Sequence, residues 1–356
     1  MSDPTASGSL LASEQRSTDL ELAIAARPSA FRVLTGDRPT GPLHIGHYFG
    51  TLENRVRLQA AGLDLMVLIA DYQVMTDRAM PAGLAGDVLG QVADYLAVGI
   101  DPGRATIFAH SQVEALNQLL LPFLSLVSVA EVGRNPTVKD EMAAAGSAVI
   151  TALMFSYPVH QAADILFCHA NVVPVGQDQL PHVELTRSIA RRFNDRYSPG
   201  QPYFPEPQAL LSAAPLLLGL DGRKMSKSLG NTVPIRATPD ETAALVGAAR
   251  TDAERVISYE PERRPEVSNL LLIAALCRDV APQELADEIG AGGSAALKAM
   301  VTDAINERFT SIRSRRRELA GDADYLRAVL ADGNERASVI ATSTMNTVRE
   351  LMHTRY

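Results

Sequence analysis

Two clusters of residues in this chain are of a kind that can handle phosphate. The first is PTGPLHIGHYFG, residues 39–50, where His44 and His47 stand three apart behind a glycine-containing turn. Three residues apart on a helix is one face, so both imidazoles can donate to the same anion. Glycine lets backbone approach a ligand closely, and a helix start favours negative charge. The second is GRKMSKSLGN, residues 222–231, in which Lys224 and Lys227 lie among small polar residues. Such lysines can neutralise a departing polyphosphate. Taken singly, a capping turn with surface histidines and a basic linker would account for the same letters.

The elements around these clusters alternate. Apolar runs at 31–35, 64–72, 105–109, 171–175 and 213–218 read as short buried strands. Between them, helical periodicity covers about 44–61, 84–98, segments up to about 145, 152–167 around Pro158, and 178–194. Strand and helix in alternation imply an α/β fold, a Rossmann-type doubly wound parallel sheet. Beyond residue 231 strand signals almost vanish. Three units follow: a flexible arm over 1–29 with one helical turn, a Rossmann-type domain over 30–231 with a helical insertion, and an all-helical domain over 232–356.

Composition narrows the function. The 356 residues are 46% hydrophobic, enough for two packed domains. A formal net charge of −8 excludes a general nucleic-acid binder, so nucleic acid would have to be met by local arginines. Two groups qualify, Arg187, Arg191, Arg192 and Arg196, and then Arg308, Arg313, Arg315, Arg316 and Arg317; a solvated helix face is the plain alternative. The two cysteines, Cys168 and Cys277, are too far apart for a disulfide framework or zinc knuckle, and the histidines His110, His160, His169, His182 and His353 show no metal-ligand spacing. No structural metal is expected. The first thirty residues lack the basic and apolar regions of a signal peptide, and no apolar run is long enough to span a bilayer, which points to the cytoplasm and away from the membrane.

HIGH at 44–47 together with KMSKS at 224–228 resembles the paired signature of class I aminoacyl-tRNA synthetases. YPVHQAADILF (157–167) and VPVGQDQLPHVELTRSIARRFN (173–194) are similar to the tryptophanyl and tyrosyl subclass, the second block in its tryptophanyl form. That resemblance implies ATP with Mg²⁺ as cofactor, L-tryptophan and tRNA(Trp) as partners, a homodimer, and an anticodon-binding role for the helical domain. It assigns His44 and His47 to the α-phosphate and Lys224, Ser226 and Lys227 to the pyrophosphate. It places Arg38, Pro39, Thr40, Gly46, Lys139, Gly176, Gln177, Asp178, Leu216, Met225 and Ser228 around ATP, with Arg134 near the phosphates. Around the amino acid it places Leu34, Gly36, Gln73, Tyr157, Gln161, Asp164 and Gln179, with Tyr157, Gln161 and Gln179 on the ammonium.

Asp164 follows from chemistry as well. Indole has one polar atom, a donor, and a buried site must supply an acceptor. Tyrosine would also suit an aspartate, but a phenol both donates and accepts, and Leu34 stands where the tyrosyl enzymes place a tyrosine. Leu34 therefore favours tryptophan, while the spacing of Tyr157, Gln161 and Asp164 matches the tyrosyl pattern. Gln73 in ADYQ and Arg38 depart from the familiar tryptophanyl form and resemble an auxiliary, second-type bacterial enzyme. A tyrosyl enzyme and a non-aminoacylating tryptophan-binding paralogue remain the alternatives.

Overall fold

A computed structural model describes residues 4–76, 79–136, 138–139, 151–212 and 216–356. Five strands form one parallel sheet: β1 (Arg32–Asp37), β2 (Asp64–Ile69), β3 (Ala105–Ala109), β4 (Val172–Val175) and β5 (Gln208–Leu211), in the order β3-β2-β1-β4-β5. The chain builds outward from β1 to β3, then returns to the other side of β1. Strand order thus reverses between β1 and β4, and at such a switch point the carboxyl ends of neighbouring strands diverge into a crevice.

Alternation along each strand feeds two cores. Val33, Leu65, Val67, Ile69 and Ile107 face one layer of helices, and Leu34, Met66, Leu68, Phe108 and Val173 face the other. On the first face lie α2 (Ile45–His47), α3 (Glu53–Ala60) and α4 (Leu84–Val98). α2 and α3 are joined by a π-helical turn, Tyr48–Leu52, so the helical stretch expected after the first strand is continuous. α4 stops at Gly99, whose φ of 111° is left-handed. On the second face lie three short helices, α5 (Glu114–Gln118), α6 (Leu120–Leu124) and α7 (Val129–Arg134), followed by α8 (Ala152–Leu166) and α9 (Leu180–Tyr197). α8 is capped by Thr151, which accepts from Met154 N at 3.1 Å, and it carries Pro158 within its length.

Two expectations are corrected. The fifth strand is Gln208–Leu211, not 213–218; residues 213–215 lie outside the described part, and 216–218 form only an isolated bridge from Leu218 to Lys224. The N-terminal segment is not an arm with one turn but a helix, α1 (Pro4–Ala26), that lies on β5 and buries Leu20 and Ile24. Ser17 Oγ accepts from Leu211 N at 2.9 Å, which satisfies backbone that the outermost strand would leave open.

The C-terminal part is helical, as expected: α10 (Pro239–Gly247), α11 (Pro265–Arg278), α12 (Pro282–Ile289), α13 (Gly293–Ala320) and α14 (Ala323–Leu351). It is fastened to the sheet layer along two lines. α13 packs on α4, where Arg316 Nε meets the buried carboxylate of Asp94 at 2.7 Å. α14 crosses β3, where Ala109 N donates to Asn334 Oδ1 at 3.0 Å and Arg336 donates to the carbonyls of Pro102 and Ala105. The crossing depends on Gly333, because a Cβ there would stand 1.9 Å from the Ile107 carbonyl oxygen. Gly333→Ala should therefore cost about 1–3 kcal/mol by overpacking. The check is a thermal scan, in which Tm should fall by several degrees; an unchanged Tm would mean that α14 does not lie this close to β3.

The second arginine group is drawn in part into the fold, while the first stays on a largely solvated helix face. Arg313 is buried, donating to Ile235 O, Asn306 Oδ1 and Thr242 Oγ1; Arg316 is held by Asp94; and Arg308 pairs with Glu53 over the Tyr48 ring. Arg187 and Arg191 meet Glu206, and Arg192 meets Glu131. Arg315 and Arg317 remain exposed. Most of these charges therefore hold helices together.

Candidate active site

The crevice at the switch point holds a cavity of about 210 Å³. Its floor comes from the ends of β1 and β4, with Leu34, Gly36, Val173 and Gly176, and its walls from Gln73, Gln161, Asp164 and Gln179. Seven residues expected around the ligands thus meet in one place. Thr51, Asp37 and Arg55 line it as well, and no motif singles them out.

Asp164 is 1% exposed. Its Oδ1 lies 2.7 Å from His110 Nε2, and its Oδ2 has no hydrogen-bond partner among the described residues. A buried carboxylate oxygen without a donor is costly unless a ligand supplies one. Leu34, Ile165 and Val173 supply apolar surface to the same cavity, beside the amides of Gln73, Gln161 and Gln179. His160 lies alongside: the ligating atoms of His110, His160 and Asp164 fall within 4.8 Å of one another. Two histidines with no legible spacing in the sequence are thus neighbours of the central carboxylate.

The two phosphate motifs are brought together by backbone pairing. Ile45 N donates to Val233 O at 3.0 Å and Ile235 N to Leu43 O at 3.0 Å, so the segment after KMSKS lies against the start of HIGH. Lys227 Nζ reaches across to donate to Gly41 O at 2.9 Å. Met225 covers Gly46 so closely that a Cβ there would stand 2.8 Å from its sulfur. The loop is pinned from within by Asn231, which accepts from Ser226 N at 2.9 Å and donates to Asp221 Oδ1 and Lys224 O. Asn231 closes the motif in the sequence but had no assigned role there.

The HIGH rings lie 3.7 Å apart between centroids, and His44 N donates to His47 Nδ1 at 3.2 Å. The His47 ring hydrogen therefore sits on Nε2. Burial, with His47 and Lys227 nearby, pushes His44 down to about 3. Burial pushes His47 down to about 4, against the pull of Asp37. Burial also lowers Lys227. Both rings are thus neutral donors at neutral pH. Behind them Asp37 accepts from Arg55 at 2.6 Å and from the Tyr95 hydroxyl at 2.7 Å. Burial would raise that carboxyl, but Arg55 outweighs it and holds Asp37 well below the usual range.

Other expected residues lie apart from the cavity. The Tyr157 hydroxyl is directed to His182 Nε2 at 3.3 Å and does not line the wall. Gln177 and Asp178 are exposed on the turn after β4, Asp178 accepting from Gln179. Arg38 donates to Thr76 Oγ1, with Pro39 and Thr40 following in the turn. Lys139, Arg134, Leu216 and Lys224 are exposed. The Ser228 side chain lies outside the described part, as do Thr137 and residues 140–150 of the insertion.

A family model described as tRNA synthetases class I (W and Y) matches residues 27–310. A tryptophan–tRNA ligase of Streptococcus agalactiae serotype V is 40% identical over 336 residues, covering 91% of this chain and 98% of its own length. One from Clostridium longisporum is 37% identical over 333 residues, covering 91% of this chain and 97% of its own. Among solved structures, the tryptophanyl-tRNA synthetase of Campylobacter jejuni complexed with ADP and tryptophan superposes with a TM-score of 0.79 at 31% identity, over 91% of this chain and all of that one.

Proposed function

The chain belongs to the class I tRNA synthetases of the tryptophanyl and tyrosyl group, among the tryptophan–tRNA ligases, and from this we propose which of its residues carry the reaction. The activity has two steps. A carboxylate oxygen of L-tryptophan attacks the α-phosphorus of ATP, the bond to the bridging oxygen breaks, and pyrophosphate leaves tryptophanyl-adenylate behind. The terminal ribose hydroxyl of tRNA(Trp) then attacks the adenylate carbonyl, and AMP departs. No side chain becomes bonded to substrate, so the protein contributes position and electrostatics.

The observation that carries the reading is the unpartnered Asp164 Oδ2, buried in a pocket to which Leu34, Ile165 and Val173 bring apolar surface. It accepts the indole N–H, with Leu34 against the ring. Leu34 on β1 offers a phenol no hydrogen-bond partner, which favours tryptophan over tyrosine. Gln161 and Gln179 take the ammonium, with Gln73 and Gly36 beside them; Tyr157 would act through His182. His44 and His47, as neutral donors, bind oxygens of the α-phosphate as charge builds. Lys224, Ser226 and Lys227 hold the pyrophosphate. Arg38, Pro39, Thr40, Gly46, Met225 and Ser228 frame the nucleotide from the two motifs, Gly176, Gln177 and Asp178 from the turn after β4, and Leu216 and Lys139 from the rim. Mg²⁺ arrives on the ATP phosphates: among the described residues the one histidine and acid group of ligating geometry is His110, His160 and Asp164, at the indole end.

The helical part, 232–356, takes the anticodon side of the tRNA, with Arg315 and Arg317 still free to face it. A homodimer and a cytoplasmic location complete the reading; among the described residues no helix is long and apolar enough to cross a membrane. The test is amino-acid-dependent exchange of labelled pyrophosphate into ATP with all twenty amino acids. Tryptophan should far exceed tyrosine and phenylalanine, and greater stimulation by tyrosine would sink the assignment.

A further inference from the structure

We propose that His110 is a positioning residue for indole recognition: it occupies one oxygen of Asp164 and so fixes the other as a single acceptor facing the substrate. The proposal rests on the reading that Asp164 accepts the indole N–H. A carboxylate has two oxygens and about four lone-pair sites, and a buried one can rotate to offer either. Here Asp164 Oδ1 is 2.7 Å from His110 Nε2, and both side chains are essentially sealed from solvent. A carboxylate can only accept, so the hydrogen between them belongs to His110 Nε2. One donor is satisfied, one oxygen is committed, and Oδ2 is left over.

His110 is itself held. It sits in the turn at the carboxyl end of β3, and its backbone carbonyl accepts from Asn117 Nδ2 at 2.8 Å. The same Asn117 donates to Val113 O, so its Oδ1 is left to accept, and His160 Nε2 lies 2.8 Å from it. His160 is thereby oriented with its ring 4.7 Å from that of His110, and the Tyr72 ring lies stacked against His110 at 6.4 Å. One asparagine on α5 thus fixes the backbone of one histidine and the ring of the other. The carboxylate that reads the substrate from α8 is aimed by groups from β3 and α5, which is how a single hydrogen bond can be placed with little freedom.

The test compares tryptophan with benzothienylalanine, in which sulfur replaces the indole N–H while the ring outline is nearly kept. The quantity is the ratio of kcat/KM for the two in pyrophosphate exchange. Each ratio is internal to one preparation, so loss of folded protein cancels. His110→Phe should lower the wild-type ratio by about tenfold, the value of one buried hydrogen bond loosened. His110→Gln, whose amide can donate near the place of Nε2, should restore it to within about threefold of wild type. Asp164→Ala should collapse it. An unchanged ratio in His110→Phe alongside a collapsed one in Asp164→Ala would overturn the role of His110 and leave Asp164 standing. Failure of Gln to restore the ratio would also overturn it, since ring packing and not the hydrogen bond would then be what matters. An unchanged ratio in Asp164→Ala would remove both readings together.

Discussion

Asp164→Ala is expected to lower kcat/KM for tryptophan by about tenfold to a few hundredfold. The indole N–H would enter the pocket beside Leu34, Ile165 and Val173 without the carboxylate that was placed to meet it. An unsatisfied buried donor costs about 1–3 kcal/mol, and more when the lost partner was charged. The substitution also strands the His110 Nε2 hydrogen, so some loss of stability comes with it. Phenylalanine separates the two effects. It has no N–H, so its already poor use should change little, whereas a collapsed pocket would harm both substrates alike. Asp164→Asn keeps the shape and an acceptor oxygen and should be milder than Ala. The measurement is kcat/KM for tryptophan and phenylalanine in the three forms. Equal losses for both would mean that Asp164 shapes the pocket without reading the indole.

Lys227→Ala should slow adenylate formation by about a hundredfold to a thousandfold, the usual consequence of removing one group aimed at transition-state charge. Tryptophan affinity should move by less than about threefold, because Lys227 lies at the phosphate end and not in the indole pocket. The ammonium is already set in place by Gly41 O, and burial lowers its pKa in the free protein. Arriving phosphates reverse that penalty, and a departing pyrophosphate reverses it further. Single-turnover adenylate formation and equilibrium tryptophan binding together decide the matter. A variant that lost affinity for tryptophan and kept its rate would show that the loop serves the amino acid instead.

Local pattern and tertiary contact divided what the sequence could show. β1 to β4 were legible because each is a run of β-formers too short for a helix and flanked by turns. β5 was not, since QALL is less strand-like than the apolar stretch that follows it. Pairing with β4 and the cover of α1 select Gln208–Leu211. α1 looked like an arm because its serines and charges hide two buried positions, Leu20 and Ile24, that matter only once β5 lies beneath them. The motif residues His44, His47, Lys224 and Lys227 stood out by type and spacing, and the family resemblance gave them their expected roles. His110 was not, because its partner lies 54 residues away and no periodicity links them. Arginine clusters mislead for the same reason. A row of like charges reads as a surface, but Arg316 finds Asp94 from 222 residues away, and that buried pair is visible only in the fold.

α1 and α14 guard opposite flanks of the sheet, and they do so on different schedules as the protein is made. α1 precedes β5 in the chain and waits for it, so that flank can close as soon as its strand appears. β3 has the opposite history. Its Ala109 N–H meets Asn334, 225 residues further on, so the strand emerges long before the helix that covers it. Throughout that interval the growing chain carries an open row of backbone donors and acceptors, the kind of surface that recruits other strands. Arrival of α14 is therefore the event that covers β3.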